Sequence, residues 1–152
     1  MKQSAGILLY KYADELLFFL VHPGGPFWRN KDAGAWSIPK GEFSDDEEAL
    51  AAAVREFGEE TGIELPEAGF AQLSPVRLKS GKKVLAWALE HDVNPDAVVS
   101  NTFPLEWPPR SGKTIHVPEI DKAAWFRADE ALVKINEAQR AFILQVLDAA
   151  AD

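Results

Sequence analysis

The chain has 152 residues, of which 47% are apolar and 26% are charged, which is typical of one globular domain with its own core. We therefore expect a single domain over residues 1–152. The formal net charge of −8 disfavours generic binding to nucleic acid or to anionic lipid. Cysteine is absent, which excludes disulfides, thiolate chemistry and cysteine-ligated metal centres.

The N-terminal part of the chain predicts a β-hairpin followed by a loop. Apolar runs at residues 5–10 and 16–22 flank Ala13-Asp14-Glu15 and predict two antiparallel strands. Both runs are too short to span a membrane, and no targeting segment is visible, so we expect a soluble cytoplasmic protein without a membrane partner. Residues 22–28 contain two prolines and two glycines, which predicts a loop. Residues 36–39 predict a short extended piece.

The next segment predicts an amphipathic helix. Ser44 and Glu47 have the spacing of a capping box, so a helix should begin near Asp45. Apolar residues then recur at i, i+3, i+4 and i+7, which predicts one buried stripe formed by Leu50, Ala53, Val54 and Phe57. Gly62 fits the position just beyond the helix end, where a left-handed conformation is common.

Three glutamates, Glu56, Glu59 and Glu60, crowd the last turns of this helix at i, i+3 and i+4. Like charges at these spacings repel by roughly 0.2–0.5 kcal/mol per pair, and the helix dipole disfavours anions there by about 0.3–1 kcal/mol each. Arg55 can relieve part of this cost through Glu59. A divalent cation would relieve more, because carboxylate oxygens are ligands of Mg²⁺, which also binds substrate phosphates. Taken alone, the three glutamates also fit a solvated acidic face.

The rest of the chain predicts more strands and a C-terminal helix. Residues 71–78 and 84–90 predict a strand pair, residues 123–126 a last strand, and residues 129–135 with 137–149 the helix. Residues 101–118 contain four prolines and predict a long irregular segment, which is usually functional or mobile. This order of elements predicts an α/β fold in which helices cover both faces of a mixed sheet. The strand order stays open.

The spacing from Gly41 to Ile63 reads G-x5-E-x7-R-E-U-x-E-E-x-G-U, where U is a bulky apolar residue. It matches the Nudix box at all nine defined positions, so the chain resembles Nudix hydrolases. The resemblance implies the three-layer α/β/α Nudix fold with a mixed β-sheet. It also implies hydrolysis, with Mg²⁺ or alternatively Mn²⁺, of a phosphoanhydride in a nucleoside diphosphate linked to another group. Metals suit this reaction because its transition state is mostly negative charge.

The resemblance also implies roles for residues of the box. Glu59 and Glu60 would be the principal metal ligands, and Glu56 would be a ligand or the base for the attacking water. Gly41 would let its carbonyl approach the metal, and Arg55 would orient the glutamates.

Many relatives use one further acid outside the box, as a ligand or as the base. The candidates are Glu106 and Glu119, and we favour Glu119 because it lies just before the last predicted strand. A glutamate at such a position is equally often an exposed loop residue with no role in a site. His116 is a less favoured candidate for the base.

Residues around the box suggest how a substrate is held. Trp36-Ser37-Ile38-Pro39-Lys40-Gly41 resembles the W-x-x-P-K-G motif of dinucleoside polyphosphate hydrolases, MutT-like triphosphatases and inositol pyrophosphate phosphatases, so Lys40 would face phosphates. Arg110 and Lys113 would form a phosphate clamp. Trp28 or Trp107 could stack on a base, although tryptophans fit a core position equally well.

Three functions remain open from the sequence. The first is a pyrophosphohydrolase acting on a nucleoside triphosphate or a dinucleoside polyphosphate, although the tyrosine that many hydrolases of the second group carry beyond the box is missing. The second is a diphosphoinositol polyphosphate phosphatase, for which Lys79, Lys82 and Lys83 form one basic patch. The third is a non-catalytic Nudix-fold sensor, disfavoured because every box glutamate is retained. The oligomeric state also stays open.

Overall fold

The computed structural model describes residues 3–151, so residues 1, 2 and 152 of the predicted domain lie outside the described range. The strands are β1 Gln3–Ala13, β2 Glu15–Pro23, β3 Lys40–Phe43, β4 Ala71–Gln72, β5 Val76–Arg77, β6 Lys83–Glu90, β7 Thr102–Glu106, β8 Thr114–Pro118 and β9 Ile120–Arg127. The α-helices are α1 Ala49–Thr61, α2 Ala128–Lys134 and α3 Arg140–Ala150. Pro95–Ala97 and Glu137–Gln139 form short 3₁₀ turns.

Seven of these strands form one mixed sheet in the order β4-β6-β1-β2-β9, with β3 paired to β1 and β5 paired to β6. Strands β1 and β6 are parallel, and the other pairs are antiparallel. The predicted N-terminal hairpin is confirmed as β1–β2. The predicted second pair is also confirmed, except that its first strand is split into β4 and β5.

Helices cover both faces of the sheet. Successive residues of β1 point alternately to the two faces and pack in two separate cores. Leu8 packs in the core that contains Phe142 of α3. Ile7 and Leu9 pack on the opposite face with Phe57 of α1. The predicted three-layer α/β/α arrangement is therefore confirmed.

Helix α1 begins at Ala49, so the predicted start near Asp45 is wrong. Glu48 is the N-cap, and its carboxylate accepts a hydrogen bond from Ala51 N at 2.7 Å. The predicted capping box does not form because the Glu47 carboxylate is bound to Arg55 instead. At the other end, Gly62 has a φ of 72° and caps the helix, as predicted.

The buried stripe of α1 also differs in part from the prediction. Ala52, Ala53 and Phe57 are fully buried, whereas Leu50 and Val54 are only partly buried at the margin of the core. Because the helix is turned in this way, Glu56 and Glu60 lie at the edge of the sheet rather than on a fully solvated face.

The prediction that residues 101–118 are irregular is wrong, because this segment forms a second, two-stranded sheet. Strands β7 and β8 pair antiparallel from Thr102 opposite Pro118 to Glu106 opposite Thr114. Proline is tolerated in such a pair because each strand has an unpaired edge. The Glu106 carboxylate accepts hydrogen bonds from Arg110 N at 3.0 Å and Gly112 N at 3.2 Å. These bonds stabilise the turn at the tip of the hairpin.

The C-terminal helical region is interrupted after Lys134. The Asn136 side chain accepts from Ala138 N at 3.1 Å, which caps the 3₁₀ turn that precedes α3. None of the helices within residues 3–151 is long and apolar enough to cross a membrane.

Candidate functional site

An acidic cleft lies where helix α1, strand β3 and the β8–β9 connection meet. Its volume is about 450 Å³. The lining residues are Pro23, Gly24, Trp28, Lys40, Gly41, Glu42, Glu56, Glu60, Phe103 and Glu119. Folding therefore brings Trp28, Lys40, Gly41, Glu56, Glu60 and Glu119 of the predicted site into one cleft.

Strand β3 runs against the glutamates of α1 at very close range. The backbone N–H of Lys40 donates to Glu60 Oε1 at 3.2 Å. A Cβ atom added to Gly41 would overlap the carboxylate of Glu56. Only glycine therefore leaves the main chain of β3 and the Glu56 carboxylate side by side without displacement.

The carboxylates of the cleft are poorly solvated. Burial raises the pKa of Glu60 to about 8, against the opposing effects of its hydrogen bond from Lys40 N and of the Lys40 charge. Burial also raises the pKa of Glu56 and of Glu119, and the charge of Glu59 adds to the effect on Glu119. Burial in the cleft therefore disfavours the ionised form of these carboxyl groups in the absence of a bound cation.

Arg55 connects the glutamates at the outer edge of the cleft. Its Nε and Nη2 donate to the two carboxylate oxygens of Glu47 at 2.8 and 2.9 Å. Its Nη1 donates to Glu56 Oε1 at 2.9 Å and to Glu59 Oε1 at 3.1 Å. The pKa of Arg55 is raised, first by the hydrogen bond to Glu47. This geometry suits the orienting role that the resemblance implies for Arg55.

Glu59 differs from Glu56 and Glu60 because it is turned toward Arg55 and does not line the cleft. Its side chain is 46% exposed, against 15% for Glu56. Among residues 3–151, no three acidic or histidine side chains form a ready-made metal site. The available donors are nevertheless hard oxygen atoms, and burial raises the pKa of Glu56 and of Glu60, so a bound cation would favour their ionised forms. That donor set fits a divalent cation such as Mg²⁺.

Of the acids considered outside the box, Glu119 lies in the cleft. Its backbone N–H donates to Asn101 O at 2.9 Å, and its carbonyl accepts from Gly24 N at 3.0 Å. Glu106 instead binds the tip of the β7–β8 hairpin. His116 is exposed on β8.

A second cavity of about 240 Å³ lies beside the cleft and shares Pro23, Trp28, Lys40, Glu60 and Glu119 with it. The rest of its wall is uncharged and consists of Val21, Gly34, Ala35, Trp36, Ser37, Ile38, Leu78, Ile120, Asn136 and Gln139. Asn136 and Gln139 were not among the site residues predicted from the sequence. Two amide residues just before a helix carry no distinctive spacing, and only folding brings them to the site.

Trp107, Arg110 and Lys113 do not line either cavity. They lie at the tip of the β7–β8 hairpin, where Trp107 packs edge-on against Phe27 with ring centroids 5.3 Å apart. The base of the same hairpin contributes Phe103 to the cleft. Alternation of polar and apolar residues in Thr102-Phe103-Pro104-Leu105 was the signal that could have identified this strand.

A family model for the NUDIX domain matches residues 2–146. The chain therefore belongs to the NUDIX family. It is a Nudix-type hydrolase acting on phosphoanhydride bonds. No curated protein matches the chain.

Solved structures share this fold at low sequence identity. A Caenorhabditis elegans Ap4A hydrolase in a binary complex is 20% identical, with a TM-score of 0.63 and 98% of each chain covered. A MutT from a study of Aliivibrio salmonicida and Vibrio cholerae is 17% identical, with a TM-score of 0.58, covering 97% of this chain and 96% of that one. A MutT protein from Methanosarcina mazei Go1 is 20% identical, with a TM-score of 0.59, and the match covers 99% of this chain and 96% of that one. At these identities the similarity shows the fold alone.

Proposed function

We propose that the protein is a Mg²⁺-dependent pyrophosphohydrolase, with Mn²⁺ as an alternative metal. Its substrate would be a small nucleoside-diphosphate-linked molecule, in the first place a nucleoside triphosphate or a dinucleoside polyphosphate. One observation carries the proposal. A cleft lined by Glu56, Glu60 and Glu119 adjoins a partly aromatic cavity whose wall is otherwise uncharged, and Lys40, Glu60 and Glu119 line both.

The residues that would hold the metal are Gly41, through its carbonyl, with Glu56, Glu59 and Glu60. When bound, the metal supplies positive charge to the phosphate oxygens and lowers the pKa of a coordinated water. Arg55 holds the carboxylates of Glu56 and Glu59 in position through its hydrogen bonds to both.

Glu56 and Glu119 are the candidates for the base that accepts a proton from the attacking water. Burial raises the pKa of both carboxyl groups toward neutrality, which makes each a better proton acceptor than an ordinary solvated carboxylate. With Arg55 and Glu59, they form the proposed catalytic group.

The two cavities suggest a division between phosphates and nucleoside. Lys40 is the one cation that lines either cavity within residues 3–151, and it would contact the phosphates. Trp28 lies on the wall shared by the cavities and would stack on the base. An inositol polyphosphate would need several cations around it, so this lining favours a nucleotide.

The test is a substrate panel with Mg²⁺ and then Mn²⁺, containing nucleoside triphosphates, dinucleoside polyphosphates and a diphosphoinositol polyphosphate. Products are read by chromatography and phosphate release. We expect nucleotide turnover, and we expect Glu59→Gln and Glu60→Gln each to lower kcat by about 100-fold or more while the protein stays folded.

Glu64→Gln is the matched control, because it removes an exposed glutamate just beyond the same helix and should retain activity. Near wild-type activity of Glu59→Gln at saturating Mg²⁺ would show that the metal assignment is wrong. Turnover of the inositol compound alone would favour the second function, and inactivity on the whole panel would favour a sensor.

A further inference from the structure

His22 is a buried histidine whose two ring nitrogens both have oxygen partners. Nδ1 lies 2.7 Å from Asp121 Oδ1, and Nε2 lies 2.6 Å from the carbonyl oxygen of Lys31. A carbonyl oxygen only accepts hydrogen bonds, so Nε2 must carry a proton. An ionised carboxylate also only accepts, so Nδ1 must carry one as well. The Asp121 side chain is 29% exposed, and contact with solvent supports its ionised form.

The His22 ring joins three separate parts of the chain. His22 lies at the end of β2, Asp121 lies in β9, and Lys31 belongs to the loop of residues 24–35, here called the cleft loop. Gly24 N donates to Glu119 O, and Gly34 N donates to Val133 O, both at 3.0 Å. These bonds hold the ends of the cleft loop, whereas the bond from His22 holds its middle.

The middle of the cleft loop carries Trp28. The backbone N–H of Lys31 donates to the carbonyl of Trp28 at 3.0 Å, so the peptide held by His22 is linked to Trp28 through a single turn. Trp28 lines both the acidic cleft and the second cavity. A shift of the Lys31 carbonyl would therefore move a wall of the substrate site.

We propose that His22 is a positioning residue, held as an imidazolium between Asp121 and the Lys31 carbonyl, that sets the cleft loop and Trp28 for substrate binding. The effect of His22 on substrate affinity rests on the proposed function, whereas its effect on the position of the cleft loop is independent of that function.

The groups around the ring explain why its protonation matters. Asp121 of β9 and the Lys31 carbonyl of the cleft loop contact the ring, Lys122 is the register partner of His22 in β9, and the Lys31 ammonium lies over the Trp28 ring at 5.1 Å. From the other side, the edge of Trp36 packs on the ring at 5.2 Å between centroids, and Trp36 Nε1 donates to Asp32 Oδ1 at 2.7 Å. Asp32 is bound to Lys134 of α2. If the ring loses one proton, one nitrogen presents a lone pair to an oxygen acceptor, and one of the two bonds fails.

The direct test is nitrogen NMR of the His22 ring, together with hydrogen exchange of the cleft loop, across a pH series. We expect both ring nitrogens to be protonated at neutral pH and loop exchange to accelerate as the ring loses a proton. A ring with a single proton at neutral pH, or loop exchange indifferent to that proton, would overturn the proposal. Neither readout requires a substrate, so failure of the proposed function would be seen separately.

Asp121→Asn gives the sharpest variant. Its amide can donate to Nδ1, so a neutral ring with a proton on Nε2 satisfies both contacts. We expect this variant to hold a singly protonated ring at neutral pH and to lose the pH dependence of loop exchange. A doubly protonated ring in Asp121→Asn would contradict the assignment.

The kinetic test uses His22→Gln with the best substrate of the panel. We expect KM to rise about five- to tenfold, the scale of one lost hydrogen bond, while kcat changes by less than about twofold. His91→Gln is the control, because His91 lines neither cavity and its backbone N–H donates to Tyr10 O, and the variant should match the wild type. An unchanged KM in folded His22→Gln would overturn the effect on affinity.

Discussion

Glu60 shows at the scale of one residue how the site is electrostatically arranged. Its pKa of about 8 results first from burial, against a hydrogen bond from Lys40 N that favours the ionised form. A carboxyl whose pKa is higher in the folded state than its ordinary value of 4.5 destabilises the fold once it must ionise. The free energy of unfolding should therefore fall as pH rises from about 4.5 through about 8, unless a cation is bound.

Glu60→Gln should remove this pH-dependent cost from the metal-free protein. Above pH 8 we expect the variant to unfold with a larger free energy than the wild type, by at most about 5 kcal/mol, which is the shift from 4.5 to about 8 at 1.36 kcal/mol per unit. Below pH 4.5 the gain should vanish. Urea unfolding of both proteins with a chelator present measures this difference in the free energy of unfolding. A gain of equal size at every pH, or none, would show that Glu60 is not held against its ionisation.

The β7–β8 hairpin matters at the scale of an element because it combines a cleft residue with exposed cations. Phe103 at its base lines the cleft, while Arg110 and Lys113 extend from its tip. In this structure neither cation has a carboxylate within salt-bridge distance among residues 3–151. We propose that Arg110 and Lys113 act as a phosphate clamp for a substrate bound in the cleft.

Arg110→Ala should then raise KM and lower kcat/KM by about 1.5–3 kcal/mol, the scale of a lost charged hydrogen bond. Affinity for Mg²⁺ without substrate should change little. Lys79→Ala is the comparison, since Lys79 lies in the other basic patch. If Arg110→Ala and Lys113→Ala both keep kcat/KM within twofold while Lys79→Ala lowers it, the patch of Lys79, Lys82 and Lys83 is the clamp instead.

At the scale of the whole molecule, a net charge of −8 is combined with a cleft that gathers carboxylates at the margin of the core. Folding holds these charges together at a cost that the unfolded chain does not bear. A cation that binds only the folded state should therefore stabilise the entire domain by mass action.

Adding Mg²⁺ to the chelator-treated protein should raise Tm. The free energy of unfolding should increase by about 2.7 kcal/mol when free Mg²⁺ is 100-fold above its Kd. Calorimetry of the wild type, Glu59→Gln and Glu64→Gln measures the effect. We expect the Tm shift to shrink in Glu59→Gln and to persist in Glu64→Gln. An equal shift with NaCl at matched ionic strength would show that screening of charge, and not a specific site, is responsible.

The sequence by itself determined the features that depend on spacing within one segment. Glu56, Glu59 and Glu60 share a helix, Gly62 ends it, and Glu119 precedes the last strand, because helical and strand periodicities are local. The α/β class followed from the same periodicities, as did the family, since the whole box is one continuous stretch. The predicted helix start near Asp45 was wrong because the Glu47 side chain binds Arg55 and does not form the capping box.

The tertiary structure alone decided how residues distant in the chain share one environment. It separated partly buried Glu60 from half-exposed Glu59, paired residues 102–106 with 114–118, and brought Asn136 and Gln139 to the cavity beside Trp28. It also joined His22 to Asp121 across two strands. Burial and hydrogen bonding depend on what packs from elsewhere in the chain, so the spacing of neighbouring residues carries no record of them.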